Sequence, residues 1–207
     1  MLAVGAAAAQ APITVPAPQP ENVWHLDLST GGRVSILLRP DVAPGHVERI
    51  RILTRQGFYN GITFHRVVDG FMAQSGDPQG TGAGGSTLPD LAAEFNDLPH
   101  LRGTVAMART QEPNSANSQF YIMFAPRFAL DRSYTVFGRV FAGMNFVDAI
   151  ARGEPPANPT RILRASIGSD NVAPPSAEEL RAAAAPPAAP PAPPARPETP
   201  SVRPPRR

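Results

Sequence analysis

Residues 64–78 read FHRVVDGFMAQSGDP and place three chemically distinct side chains close together. Arg66 is a permanent cation with fixed planar donors, Gln74 both donates and accepts, and Met72 is apolar. Side chains two apart on a strand share a face, so Met72 pairs with Gln74, Gln119 with Tyr121, and Phe64 with Arg66. By the same rule His65 faces away from Arg66. Each pair sets an apolar group beside a polar one, which suits a pocket with a polar rim better than a sealed core. An arginine snorkelling at a sheet edge, with solvated glutamines, fits the same pattern.

Other chemistries find less to stand on. The chain has no cysteine, which excludes disulfides, thiolate nucleophiles and Cys-based metal sites. GTGAGG, residues 80–85, has the glycine spacing of a dinucleotide loop, but neither a strand before it nor a helix after it, and Pro89 follows early. It reads as a loop of close-approaching backbone. His25, His46, His65 and His100 lack metal-ligand spacing and read as structural. Ser75, Ser115 and Ser118 sit in no nucleophile elbow, and neither Glu178/Glu179 nor Asp90/Glu94 forms a convincing catalytic carboxylate pair. No cofactor and no metal are expected.

The elements that must position Arg66 follow from periodicity. VWHLDLSTGGRVSILL alternates, breaks at Thr30–Gly32 and resumes, which predicts a hairpin. Val47, Ile50 and Leu53 recur at helical spacing, with Asp41 and Pro44 suited to the helix start and Gly57 to its end. Strands are expected at Thr63–Val68, Phe71–Ser75, Gly103–Met107, Phe120–Met123 and Val136–Val140, a second helix in MNFVDAIARG and a last strand in TRILRASIG. About eight strands and two helices predict a mainly β fold, a closed eight-stranded antiparallel barrel capped by the helices. This domain spans residues 23–169, and no internal repeat suggests a solenoid.

The flanks differ in composition. Residues 1–22 form an Ala/Pro-rich leader in which Ala9, Gln10 and Ala11 resemble the end of a secretory signal, although no basic residue precedes the apolar run. Export, to the periplasm or beyond, is therefore expected, with a cytoplasmic location as the alternative. Residues 170–207 are crowded with Pro, Ala and Arg and are expected to be a disordered tail of polyproline character. From Asn171 on, arginines exceed glutamates by enough to carry the whole formal charge of +2. The body is then neutral, which gives no reason to expect a nucleic-acid partner. No stretch approaches the apolar run of about 20 residues of a spanning helix, and a monomer is expected.

The blocks FYNGITFHRVVDGFMAQSGDPQGTGAGG, GTVAMAR, NSQFYI and LDRSYTVFGRV, with Glu94–Phe95 between the first two, resemble the cyclophilin-type peptidyl-prolyl cis-trans isomerases and cover most of residues 23–168. The resemblance implies an eight-stranded barrel with two helices that speeds rotation about Xaa-Pro bonds, assists folding, and takes proline-containing peptides and extended protein segments as partners. Carried over by position, it makes Arg66 the catalytic arginine and Phe71, Met72, Tyr121 and Leu130 the proline pocket. It makes Gln74 and Gln119 polar supports and sets Ala108 and Arg109 on the strand that pairs with substrate. Gly82 falls in the loop of a neighbouring pocket, and Tyr134 where a pocket histidine often stands. Tyr121 replaces the commonest phenylalanine, Arg109 a frequent asparagine, and Ala129 the tryptophan before Leu130, which argues against tight binding of cyclosporin-type inhibitors. A proline-binding module with negligible turnover is the alternative, and the retained Arg66 speaks for the enzyme.

Overall fold

The computed structural model describes residues 18–184; the leader up to residue 17 and the tail beyond 184 lie outside the described residues. Eight strands run in chain order: β1 (Val23–Leu28), β2 (Gly32–Leu38), β3 (Arg66–Val68), β4 (Met72–Ser75), β5 (Thr104–Met107), β6 (Phe120–Met123), β7 (Val136–Ala142) and β8 (Ile162–Ile167). They form one antiparallel sheet in the order β3-β4-β6-β5-β7-β2-β1-β8.

The sheet curls until its two edges meet. Closure comes from an isolated antiparallel bridge between Thr63 and Arg161, just before β3 and β8. Backbone bonds from Phe64 N–H to Thr160 O (2.9 Å) and Ile162 N–H to Ile62 O (2.8 Å) reinforce it. The barrel is thus closed by a short irregular seam rather than by a continuous ladder. The expected strand over Thr63–Val68 accordingly begins in regular form only at Arg66.

Inside, Trp24, Tyr59, Phe64, Phe120 and Phe137 are fully buried among aliphatic residues. Trp24 meets Phe120 edge-on at 4.9 Å and Tyr59 at 5.3 Å, the preferred geometry for aromatic pairs. Helix α1 (Pro44–Arg55) covers one end of the barrel, burying Val47, Ile50 and Leu53 as their spacing predicts. Gly57 ends it at φ +70°, with Gly57 N–H bonded to Thr54 O and Phe58 N–H to Leu53 O, a Schellman motif. Glu94 caps the other end from far along the chain, accepting the Gly45 and His46 N–H groups at 3.0 and 3.1 Å. Helix α2 (Met144–Asp148) is shorter than its sequence segment suggests.

The expectation of a structureless tail from residue 170 fails for its first part. Arg33 and Arg164 bind the carbonyls of Val172 and Ala173 at 2.7–3.0 Å, tying this segment to the β1–β8 side of the barrel. A third helix, α3 (Ala177–Ala184), follows. Ser176 and Glu179 form a reciprocal capping box: Glu179 accepts the Ser176 N–H at 2.6 Å and Ser176 Oγ accepts the Glu179 N–H at 3.2 Å. The alanines after it are strong helix formers, so local propensity overrides the proline-rich composition around it. None of the described helices is long and apolar enough to cross a membrane.

Candidate active site

The strands that wall the barrel core also carry a second surface outside it. Register aligns Arg66 with Gln74, Gln74 with Tyr121, Tyr121 with Ala106, and Ala106 with Val136, one row across five strands. Paired residues of adjacent antiparallel strands share a face. Met72, Ala106, Tyr121, Met123 and Val136 form a small apolar cluster here, separate from the barrel core, with Phe71, Ala108, Leu130 and Tyr134 packed at its margin.

The margin opens into a cavity of about 140 Å³ lined by Arg66, Phe71, Met72, Gln74, Ala108, Arg109, Tyr121, Leu130 and Tyr134. A neighbouring cavity of about 540 Å³ shares Gln74, Ala108 and Arg109 with the first and adds Gly82 and Gln119. The residues singled out in the sequence therefore converge on two adjoining cavities, which favours the pocket reading over a chance edge arginine.

Arg66 stands on β3 with its side chain 43% exposed, and its Nε donates to Glu154 Oε2 at 2.7 Å. Glu154 arrives there because Gly153 and Val67 exchange backbone hydrogen bonds of 2.8 and 2.9 Å, laying the segment after α2 along β3. The terminal guanidinium nitrogens of Arg66 have no protein partner among the described residues.

Gln74 Nε2 donates to Gln119 Oε1 at 2.9 Å, and Gln119 Nε2 donates to the carbonyls of Gly82 and Gly84 at 3.0 and 2.8 Å. The two glutamines thus link the pocket to the glycine-rich loop. What that loop wraps is not a phosphate but the buried carboxylate of Asp77. It accepts N–H bonds from Gln79, Thr81, Gly82 and Gly84 at 2.7–3.2 Å, and a hydroxyl bond from Thr81. A Cβ on Gly84 would stand 2.0 Å from Asp77 Oδ1, so that position excludes any side chain. Burial would raise the Asp77 carboxyl, but these hydrogen bonds outweigh it and hold it below the usual range.

Behind Tyr121 lies a buried relay that the sequence did not reveal. His100, fully buried, bonds Asp131 Oδ1 through Nδ1 at 2.8 Å and the Tyr121 hydroxyl through Nε2 at 3.0 Å. An ionised carboxylate only accepts, so Nδ1 carries the hydrogen, and in the neutral imidazole Nε2 then accepts from the phenol. Burial works to raise the Asp131 carboxyl, yet hydrogen bonds from the His100 backbone and ring prevail and lower it. Burial, with smaller contributions from neighbouring charges, pushes the Tyr121 phenol far up and keeps it a donor. Because Asp131 follows Leu130, this relay ties two walls of the cavity together. Buried polar residues predict such a partner, but not which distant segment supplies it.

Two expectations need correction. Phe64 does not share a surface with Arg66 but is fully buried in the barrel core. His65 does not face away from Arg66; both line a third cavity of about 340 Å³ with Glu154 and Pro155. Residues 64 and 65 precede the regular strand, so period-two alternation does not hold through them. Burial lowers the His65 pKa, opposed by Asp77 and assisted by Arg66.

A barrel with an open apolar pocket and an arginine on its rim matches a known family. The model of the cyclophilin-type peptidyl-prolyl cis-trans isomerases matches residues 25–167. The chain belongs to this family. A Brucella suis relative named "Probable peptidyl-prolyl cis-trans isomerase" is 48% identical over 173 residues, covering 76% of this chain and 88% of its own. Among solved structures, cyclophilin AquaCyp293 from Hirschia baltica is 31% identical with a TM-score of 0.68, over 73% of this chain and 76% of that one. A Cryptosporidium parvum cyclophilin-type isomerase, crystallised in the presence of the dipeptide Ala-Pro, is 25% identical with a TM-score of 0.66, over 70% of this chain and 98% of that one. The activity that goes with membership is peptidyl-prolyl cis-trans isomerisation.

Proposed function

We propose that this isomerase acts by binding a twisted prolyl amide, with Arg66 as its electrostatic catalyst. Resonance across the C–N bond sets a rotation barrier of about 18–20 kcal/mol. When the bond twists, resonance is lost and the prolyl nitrogen gains a lone pair that accepts a hydrogen bond. A donor aimed at that nitrogen stabilises the twisted state over both planar ones, which lowers the barrier without breaking a covalent bond.

The observation that carries this reading is the division of labour within the Arg66 side chain. Glu154 holds Nε at 2.7 Å and so fixes the guanidinium plane, while the terminal donors stay available at the rim of an apolar-walled cavity. Phe71, Met72, Tyr121 and Leu130 hold the proline ring while the preceding carbonyl swings. Gln74 and Gln119 support the rim, and the segment at Ala108 and Arg109, which follows β5 rather than belonging to a strand, pairs with the substrate backbone beside Gly82 and Tyr134. A millionfold acceleration needs about 8 kcal/mol of preferential stabilisation. A charged hydrogen bond in a site that the substrate itself seals from water supplies a large part of that.

The substrates on this reading are proline-containing peptides and extended protein segments, and the cellular role is assistance to folding, by a monomer. The Ala-rich leader supports export; N-terminal sequencing of cell fractions tests this, and an intact leader on cytoplasmic protein defeats it. A prolyl-peptide isomerisation assay tests the catalytic assignment. Arg66→Ala is expected to lower kcat/KM about 100- to 1000-fold. Its melting temperature should stay within about 4 °C, because an exposed ion pair contributes at most about 1 kcal/mol. Unchanged turnover removes Arg66 from the mechanism.

A further inference from the structure

Most arginines of the barrel surface that lie near acids are paired with them, as Arg33 with Asp27, Arg102 with Asp148 and Arg152 with Asp69. At the proline pocket the pattern changes. Arg109 lines both adjoining cavities, yet its guanidinium is held by carbonyls alone: Ser133 O at 2.8 and 3.1 Å, Thr110 O at 2.8 Å and Gln111 O at 3.1 Å. It lies 4.6 Å from the centre of the Tyr134 ring, a wall of the pocket. The guanidinium of Arg127, which lines neither cavity itself, lies 5.0 Å over the ring of Phe71, another wall residue. Neither forms an ion pair with any carboxylate among the described residues.

Of the acidic groups nearby, one is neutralised by an arginine and two are held by hydrogen bonds away from Arg109 and Arg127. Glu154 neutralises Arg66, Asp131 is bound by His100, and Asp90, on the lining of the larger cavity, accepts from Asn117 at 2.9 Å. The aromatic faces hold the two guanidinium groups in place without cancelling their charge. The rim therefore carries the charge of Arg109, with that of Arg127 close by against Phe71, and low-dielectric walls concentrate such a field on an entering ligand.

We propose that Arg109 and Arg127 make this isomerase select prolyl segments that carry an Asp or Glu side chain beside the proline. The proposal rests on the reading of this cavity as the proline site and adds a chemical class of substrate to it. The Arg109 guanidinium, held by carbonyls and stacked on Tyr134, keeps its charge in place with little side-chain freedom left to lose on binding, and Arg127, stacked on Phe71, adds a second charge.

The test uses the full chain and two sets of blocked tetrapeptides, with Glu, Gln or Lys placed directly before or directly after proline. Exchange NMR gives catalysed kcat/KM, and titration gives affinity for the same peptides. The expected order in at least one set is Glu above Gln above Lys, with about threefold per step at low salt, the range of a partly exposed ion pair. The spread should shrink by half or more at about 0.5 M salt, where screening is strong. Arg109→Gln and Arg127→Gln should each reduce the Glu-to-Lys ratio, and the double variant should bring it to about one; the ratio stays readable if overall rates fall. A ratio that starts at or below one in both sets, or ignores both salt and the substitutions, overturns the proposal. Absence of turnover with the Glu-over-Lys affinity order retained supports it while defeating the proposed catalytic role of Arg66.

Discussion

Phe120 and Tyr121 are consecutive in one strand, yet the first is sealed in the barrel and the second walls an open cavity. The same division runs through the neighbouring strands. Val105 and Met107 point inward and Ala106 outward; Ala73 and Ser75 point inward, Met72 and Gln74 outward. The two faces share one backbone and one period, so the backbone alone does not decide which becomes a site. What differs is closure. The inner face meets other walls of the barrel and α1, whereas the outer cluster is bordered by partly buried side chains alone: Val68, Phe71, Leu98, Ala108, Leu130 and Tyr134. The inner hydroxyls of Ser75, Tyr59 and Ser118 bond the protein's own backbone, as Ser75 Oγ does with Thr63 O at 2.9 Å. On the outer face the terminal donors of Arg66 are left for a ligand. A core face becomes a binding face when its covering layer is incomplete and its donors are left over.

Substitutions on the two faces should therefore fail in different ways. The largest stability effect is expected from Phe120→Ala, which removes a fully buried ring in edge contact with Trp24, Tyr59 and Phe64. Truncations of this kind cost about 3–5 kcal/mol, or roughly 10 °C in melting temperature. Catalysis by the folded fraction, measured well below the melt, should remain within about fivefold of wild type. Loss of turnover at unchanged melting temperature would show that the two faces are not energetically separate.

Next comes Asp77, which belongs to neither cluster but anchors the loop that Gln119 joins to the pocket. Asp77→Asn replaces an acceptor of several N–H groups by an amide that also presents donors, and about 2–3 kcal/mol of stability should be lost. The pH dependence has a definite sign. The folded pKa of Asp77 lies below its unfolded value, so its contribution is fully present above about pH 4 and disappears as pH falls through the depressed folded value. Acid melts should therefore show wild type losing stability more steeply below about pH 4 than Asp77→Asn. Parallel curves would mean that the carboxylate contributes nothing through its charge.

These residues also mark how far the sequence is legible. Alternation placed Met72, Gln74, Gln119 and Tyr121 correctly because each lies in or directly beside a regular strand, and helical spacing with a terminal glycine placed α1. It misplaced Phe64 and His65 because the seam that closes the barrel interrupts the strand before Arg66. The carboxylates Glu154, Asp77 and Asp131 were not found, since each owes its role to a fold-dependent geometry: pairing across 88 residues for Glu154, a loop wrapped on itself for Asp77, a contact across 31 residues for Asp131. Composition hid α3, although Ser176 and Glu179 have the spacing of a capping box. Local periodicity is written in neighbours, whereas the partner of a buried charge is chosen by the topology.

The smallest expected effect tests the boundary between the two faces at its thinnest point, the Tyr121 hydroxyl. The ring of Tyr121 lines the cavity, but its oxygen points to His100 and so to the supporting side. Tyr121→Phe keeps the ring and leaves the fully buried Nε2 of His100 without its donor, which costs about 1–3 kcal/mol. A drop of roughly 2–8 °C in melting temperature should follow, with kcat/KM for a prolyl peptide within about threefold of wild type. The reverse result, a tenfold or greater fall in kcat/KM with the melt unmoved, would place the hydroxyl on the ligand side. The relay from Asp131 through His100 would then act on the bound peptide rather than on the pocket wall.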